Sequence, residues 1–188
     1  MTTSTSSAID LSGDYVLDVA HTRLGFVARH AMVTKVRGRF KEFQGKAHLD
    51  AEHPERSTAS VVIEARSIDT GNEQRDEHLR SNDFLDMEHY PQITFGSTAV
   101  EKVDADDYMM TGDLTIKGTT CSVTVHFVFT GAAVDPFGNV RAGFEGTSTL
   151  NRKDWGVAWN APLETRGVLV SDKVDIEIDV SAIKQHRS

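Results

Sequence analysis

Every second residue from Val174 to Val180 is aliphatic, and every residue between them is acidic. Val174, Ile176, Ile178 and Val180 therefore share one side of an extended chain, opposite Asp175, Glu177, Asp179 and Ser181. A period of two is the strand signature, and such a strand has one dry face and one wet face. The alternation recurs along the chain. Cys121, Val123, Val125, Phe127 and Phe129 form a second stripe, with Val128 the exception on the wet side. Tyr108, Met110, Gly112, Leu114 and Ile116 form a third. Shorter stripes are Ile93 with Phe95, Leu24 with Phe26 and Ala28, Val61 with Ile63 and Ala65, and Ala142 with Phe144 and Gly146. Turn residues punctuate them at Glu52-His53-Pro54, Asp104-Ala105-Asp106, Lys117-Gly118 and Asp135-Pro136-Phe137-Gly138. Most links are short enough for hairpins, which predicts an antiparallel meander. No long helix separates consecutive strands, which argues against a parallel α/β sheet.

One region breaks the rhythm. Thr70 to Met87 has no alternation and many helix formers, with Asn72 placed to cap a helix and Ser81 or Asn82 a second short turn. Its few apolar residues, Leu79, Phe84 and Leu85, suit an element that covers something rather than forms a core. Eight to ten one-faced strands must close into a barrel or stack as a sandwich, because their apolar faces have nothing else to bury against. A sandwich core is filled, whereas a barrel of about eight strands can hold a small ligand. Periodicity alone leaves both open. A length of 188 residues suits one domain. Residues 1–12 read as a polar, disordered leader, 13–183 as the β domain and 184–188 as a polar tail.

Charge and cysteine content exclude several functions. With 20 basic and 28 acidic residues the formal charge is −8, so a nucleic acid or an anionic membrane is not the expected partner. One cysteine, Cys121, permits no intrachain disulfide and no cysteine-based zinc site. No apolar run approaches the length needed to span a bilayer. The segment Met1–Ile9 has neither the basic start nor the apolar run of a secretory signal, and the expected location is the cytoplasm.

The chain resembles the YceI-like family of bacterial polyisoprenoid-binding, lipocalin-like proteins from about Gly13 to Ala182. The resemblance lies in the order and spacing of several pieces. They are Tyr15-Val16-Leu17-Asp18 with His21 and Phe26, Arg37-Gly38-Arg39-Phe40, and Ser67 to Asn72. Arg75 to Arg80 with Asp83-Phe84, Tyr90 to Phe95, and Gly112 to Ile116 with Gly118 follow. Asn151-Arg152 with Asp154-Trp155-Gly156 completes the set. The resemblance implies an extended antiparallel eight-stranded lipocalin-like β-barrel with a short helical insertion. It also implies a homodimer, and a tunnel for a polyisoprenoid, an isoprenoid quinone or a fatty amide.

Such a tail presents only methyl and methylene surface. Its receptor needs a long dry cavity with one polar cluster for the head group. The candidate walls are Phe26, Ile63, Leu79, Phe84, Phe95, Leu114, Ile116, Val125, Phe127, Phe129, Phe144 and Trp155, although any one of these serves equally as plain core. Trp155 and Trp159 either line the tunnel or plug one end. Ten buried methylenes give a gross gain of ~8 kcal/mol before association costs. Arg75, His78, Arg80 and Asn82 are the candidate head-group donors. A second reading makes Asp69, Arg75, Asp76 and Arg80 an ion-pair network that holds the insertion to the barrel.

No catalytic residue, metal or cofactor is expected. His21, His30, His78 and His89 show no metal-ligand spacing. Cys121, predicted to face inward among valines and phenylalanines, reads as an inert hydrophobe. There is no Gly-x-Ser-x-Gly elbow, phosphate loop or dinucleotide fingerprint. The expected function is non-catalytic binding, storage or carriage of a lipid. Its rivals are an enzyme or stress-response protein using Arg75, Asp76 and His78 on such a lipid, and a packed structural barrel with no ligand.

Overall fold

The computed structural model describes residues 8–163, 167 and 169–186. The first seven residues of the expected leader and the last two of the expected tail lie outside them. The chain forms a closed antiparallel barrel of eight strands. Three of its staves are broken. β1 (Gly13–Leu17) and β2 (Arg23–His30) form one stave, interrupted at Asp18–Thr22, where the Asp18 carboxylate accepts from the Ala20 amide. β3 (Thr34–Phe40) and β4 (Phe43–Leu49) form the return stave. β5 (Thr58–Glu64) and β6 (Ile68–Asp69) form the third. Then come β7 (Gln92–Lys102), β8 (Asp107–Ile116), β9 (Thr119–Val134), β10 (Val140–Asn151) and β11 (Lys173–Lys184). β11 closes the wall by pairing with β1 near its end (Val16 opposite Ile183) and with β2 nearer its start (Phe26 opposite Ile176).

The alternating stripes all face inward, and register explains where the parity changes. In β7, Ile93 and Phe95 face the lumen. A bulge between Ser97 and Ala99 then shifts the phase, so Val100 and Lys102 take over the inner side. A second bulge lets Phe129 sit opposite Phe144 while Thr130 goes unpaired. The turn at Lys117-Gly118 has positive φ at both residues, as a two-residue type I′ hairpin requires. The other predicted turns fall between strands as well.

α1 (Glu73–Arg80) sits between β6 and β7, with the Asn72 side chain accepting from the Arg75 amide at 3.0 Å. Among the described residues no helix is long and apolar enough to cross a membrane. Two expectations are corrected. Residues 8–12 are not a loose leader: the Leu11 carbonyl accepts from the buried Tyr15 hydroxyl at 2.8 Å, and Ser12 Oγ accepts from the Ala51 amide at 3.0 Å. Leu11 is apolar and Tyr15 needs a partner for its hydroxyl, so the segment is drawn onto the barrel. Lys184 belongs to β11 rather than to a tail, and its ammonium donates to the Asp10 carbonyl at 2.8 Å.

Candidate functional site

The barrel interior is not filled. A cavity of about 660 Å³, within the range of small-molecule pockets, runs inside the wall and is bordered by residues of all eleven strands. Leu24, Phe26, Val61, Ile63, Phe95, Met110, Leu114, Val125, Phe127, Phe144, Ile176 and Ile178 all border it. Several of these, Phe26, Phe95 and Phe127 among them, are only half-buried, because they face a hollow rather than one another. An eight-stranded barrel is near the size at which side chains alone can fill the interior, so a void of this size reflects how its side chains are laid.

One end of the cavity is plugged. Phe84, Val123, Trp155 and Val157 are buried together there, with Leu79, Leu114, Ile116 and Cys121 packed against them. The Trp155 indole N–H donates to the Leu114 carbonyl at 2.8 Å, which fixes the ring across the end of the wall. Cys121 faces this cluster, as expected. Its thiol lies 3.5 Å from the Asp154 carbonyl.

Behind the plug, Arg152 is only 8% exposed. Its Nε donates to the Ser171 carbonyl at 2.8 Å, and its Nη1 to those of Val157 and Trp159 at 2.7 and 2.9 Å. Nη2 reaches the Val170 carbonyl at 3.3 Å. Burial lowers the guanidinium pKa, and Asp172, 4.0 Å away, opposes that effect. Arg152 thus ties the segment after β10 across the barrel end.

The other end carries the polar border. Lys46, Asp50, Ser57, Ser60, Lys102, Asp106 and Tyr108 meet the cavity where the β4–β5 loop and the β7–β8 hairpin converge. The Lys102 ammonium lies 5.9 Å from the centre of the Tyr108 ring, a cation–π distance. Beside this mouth Tyr15, Ala142 and Ala182 form a second packed cluster, with Leu49, Phe129 and Phe144 against it. Burial raises the pKa of the Tyr15 hydroxyl, and the charge of Asp10 adds to the effect.

All twelve residues expected in the wall border this cavity. None of the four expected head-group residues does: Arg75, His78 and Arg80 are paired locally, and Asn82 is exposed away from the cavity lining. Arg75 donates to the Thr70 hydroxyl and carbonyl, both at 2.7 Å. Arg80 donates to the carbonyls of Arg66 and Ile68 at 2.9 and 3.2 Å and to Glu73 at 3.3 Å. His78 contacts the Asp83 carboxylate at 2.8 Å and stands edge-on to Phe84 and Trp159. Asn82 is exposed, and its carbonyl accepts from Lys117 at 3.2 Å. Asp76 is buried, accepting from the Thr70 amide and hydroxyl at 2.9 and 2.6 Å. Asp76 and His78 therefore face different partners. The insertion is a clamp made mostly of hydroxyl and carbonyl contacts rather than of the ion pairs expected. Asp69 pairs with Lys41 instead, at 3.4 Å. Among the described residues, no three His, Cys, Asp or Glu side chains converge as metal ligands would.

The barrel fold agrees with that of the relatives of the chain. The profile of the YceI-like domain matches residues 15–182. The chain belongs to the YceI-like domain family. Protein YceI of Escherichia coli O17:K52:H18 is 38% identical over 182 residues, covering 96% of this chain and 92% of that one. The crystal structure of Burkholderia cenocepacia BcnA superposes with a TM-score of 0.78 at 26% identity, over 88% of this chain and 98% of that one. A polyisoprenoid binding domain from Saccharophagus degradans shares the fold at a TM-score of 0.67 and 14% identity, over 91% of this chain and 98% of that one.

Sequence reasoning missed β1, β3, β4, β6 and the polar mouth of this YceI-like barrel. β4 carried the signal: Phe43, Gly45, Ala47 and Leu49 alternate with Gln44, Lys46 and His48, but two of the four inner residues are small. β1 did not, since Tyr15, Val16 and Leu17 are consecutive apolar residues with no phase. Arg152 was visible only as part of a motif. A lone arginine after a strand gives no sign that it will be buried.

Proposed function

We propose that this YceI-like barrel binds and shelters a long single-chain amphiphile, of the polyisoprenoid, isoprenoid quinone or fatty amide class, without transforming it. One observation carries the reading: a cavity of about 660 Å³ whose wall, Ser148 and Arg152 apart, is hydrocarbon from Phe84 and Trp155 as far as Met110, with its other polar residues gathered at one mouth. A tail gains ~0.8 kcal/mol per buried methylene in such a wall, while the head keeps its water and hydrogen bonds at Lys102, Tyr108 and Asp50. Hydrocarbon binds a chain but cannot polarise a bond or move a proton, which is why carriage is favoured over catalysis. The polyisoprenoid-binding domain with the same fold supports the tail chemistry. Head-group recognition is assigned to the mouth, because none of Arg75, His78, Arg80 and Asn82 borders the cavity and the first three are already paired.

Organic extraction of the purified protein, followed by mass spectrometry, tests this. The expected result is a co-purifying long-chain lipid, or stoichiometric uptake of added geranylgeraniol by lipid-free protein. A protein that releases no lipid and takes up none refutes the proposal. Turnover of the added alcohol refutes its non-catalytic part.

A further inference from the structure

Three of the phenyl rings that border the cavity lie on glycines. Gly38, Gly112 and Gly146 are buried, and each lies beneath an inward-facing phenylalanine of the neighbouring stave. A methyl group added to Gly146 would sit 2.6 Å from Cε1 of Phe127. At Gly112 it would meet Cε2 of Phe95 at 2.6 Å, and at Gly38 it would meet Cε1 of Phe26 at 2.9 Å. Those distances are shorter than real carbon contacts, so each ring edge occupies the layer where a side chain's first atom would otherwise begin. The rings therefore run along the wall instead of across the lumen. The three seats are spread round the barrel, on β2 and β3, on β7 and β8, and on β9 and β10.

The opposite geometry is easy to imagine. A β-carbon on Gly38 or Gly146 would lift the ring off its seat, while one on Gly112 would press on the Gly96 carbonyl oxygen as well as on the ring. In a barrel of eight staves, a ring turned inward reaches the space that a ligand would use.

We propose that Gly38, Gly112 and Gly146 set the bore of the lumen and restrict its occupant to one slender, flexible chain, excluding fused-ring and two-tailed lipids. This rests on the lumen being the binding site, as proposed above, and adds which residues decide the shape it accepts. The seats are specificity-determining positions with no polar group of their own. Selection by them is steric and independent of the head group.

The test pairs a structure with two uptake measurements. In crystals of Gly146→Ala, the Phe127 ring is expected to point into the lumen. Uptake of geranylgeraniol by that variant is expected to fall about tenfold, equivalent to roughly 1.4 kcal/mol. The double variant Gly146→Ala with Phe127→Ala should recover it. A ring that stays flat against the wall, or a turned ring with unchanged uptake, overturns the proposal. Phe127→Ala alone covers the case in which the alanine variant does not fold. It should admit cholesterol, which the unaltered protein should exclude, and equal exclusion by both counts against the proposal. If the unaltered protein takes up no chain at all, the carrier reading fails, while the ring position in Gly146→Ala still decides whether the glycines set the bore.

Discussion

The two ends of the barrel are built on opposite rules. At the plugged end the polar groups satisfy one another. Arg152 meets four carbonyls, Trp155 meets Leu114, and Arg75 and Asp76 close on Thr70. At the mouth, Lys46 and Lys102 border the cavity from exposed positions, and the Asp135–Asn139 turn holds Phe137 87% exposed. Buried polar groups are tolerated only when paired, so an end rich in charged residues can still be a dry stopper. The number of charged residues in a segment therefore does not locate the polar site. What locates it is how many of their donors remain free.

The largest expected effect lies in the plug. Arg152→Met would leave the carbonyls of Val157, Trp159 and Ser171 without their donor at the edge of an apolar cavity, while that of Val170 keeps the Asn160 side-chain amide. The expected loss is roughly 3–5 kcal/mol in denaturant unfolding. A loss below about 1 kcal/mol would mean that the end is held by packing alone, and the contrast between the ends would lose its basis. Next comes the wall. Phe127→Asp puts an unpaired carboxylate into the lumen. Lipid recovered by extraction should vanish, and the melting temperature should drop. Normal lipid content in a folded variant would mean that Phe127 does not meet the ligand.

Much of the fold was legible because the strands carry their phase openly. In β8, β9 and β11 the alternation extends over enough residues that only one face can be dry, and those stripes face the lumen. The helix cap at Asn72 was readable from its side chain. Harder to see was anything that depends on closure. Bulges change the phase of β7 within the strand, and no local feature of Ser97-Thr98-Ala99 announces it. The nine wall residues on strands needed only the phase, Leu79, Phe84 and Trp155 came from elements without one, and the head-group residues needed to know which donors the backbone would consume. Arg75 through Asn82 looked like a mouth because they are polar and clustered. In the folded chain Thr70, Arg66 and Ile68 supply the acceptors, each within fourteen residues in sequence.

A smaller effect sharpens the same contrast. Arg75→Ala should cost about 1–2 kcal/mol of stability, since it strips the donor from the Thr70 carbonyl, and should leave chain affinity unchanged. Lys102→Ala should do the reverse. Stability should stay within about 0.5 kcal/mol, while the preference between an anionic and a neutral head on the same tail shifts by about two- to fivefold. Competition between a fatty acid and its amide measures this. An Arg75 variant with altered head preference and a Lys102 variant without it would return the head-group site to the insertion.

The smallest effect is in pH, and its sign differs between the ends. At the mouth, Asp135 accepts from the amides of Asn139 and Phe137 and from the Arg141 guanidinium at 3.0, 2.9 and 2.8 Å. The Asn139 amide leads in holding its carboxyl down to about 2, against an ordinary 3.8. Arg141, followed by His21, lowers the pKa of Asp18 as well. A carboxyl lowered on folding adds stability above its unfolded pKa and loses it as pH falls through the folded value. The β9–β10 hairpin should therefore loosen between about pH 4 and 2. Near the insertion, a hydrogen bond to Asp86 raises the pKa of His89 above its ordinary 6.5. That contribution is complete below 6.5 and disappears as pH rises through the folded value. Amide exchange corrected for its intrinsic pH dependence should show the turn at residues 86–90 firming on mild acidification, before the hairpin at 135–141 opens. Asp135→Asn keeps the side-chain oxygen that accepts from the amides but cannot titrate, so it should flatten only the acid limb. His89→Gln should flatten only the neutral one. If either substitution moved both limbs, the ends would be coupled through the barrel wall, and treating them as separately built would be wrong.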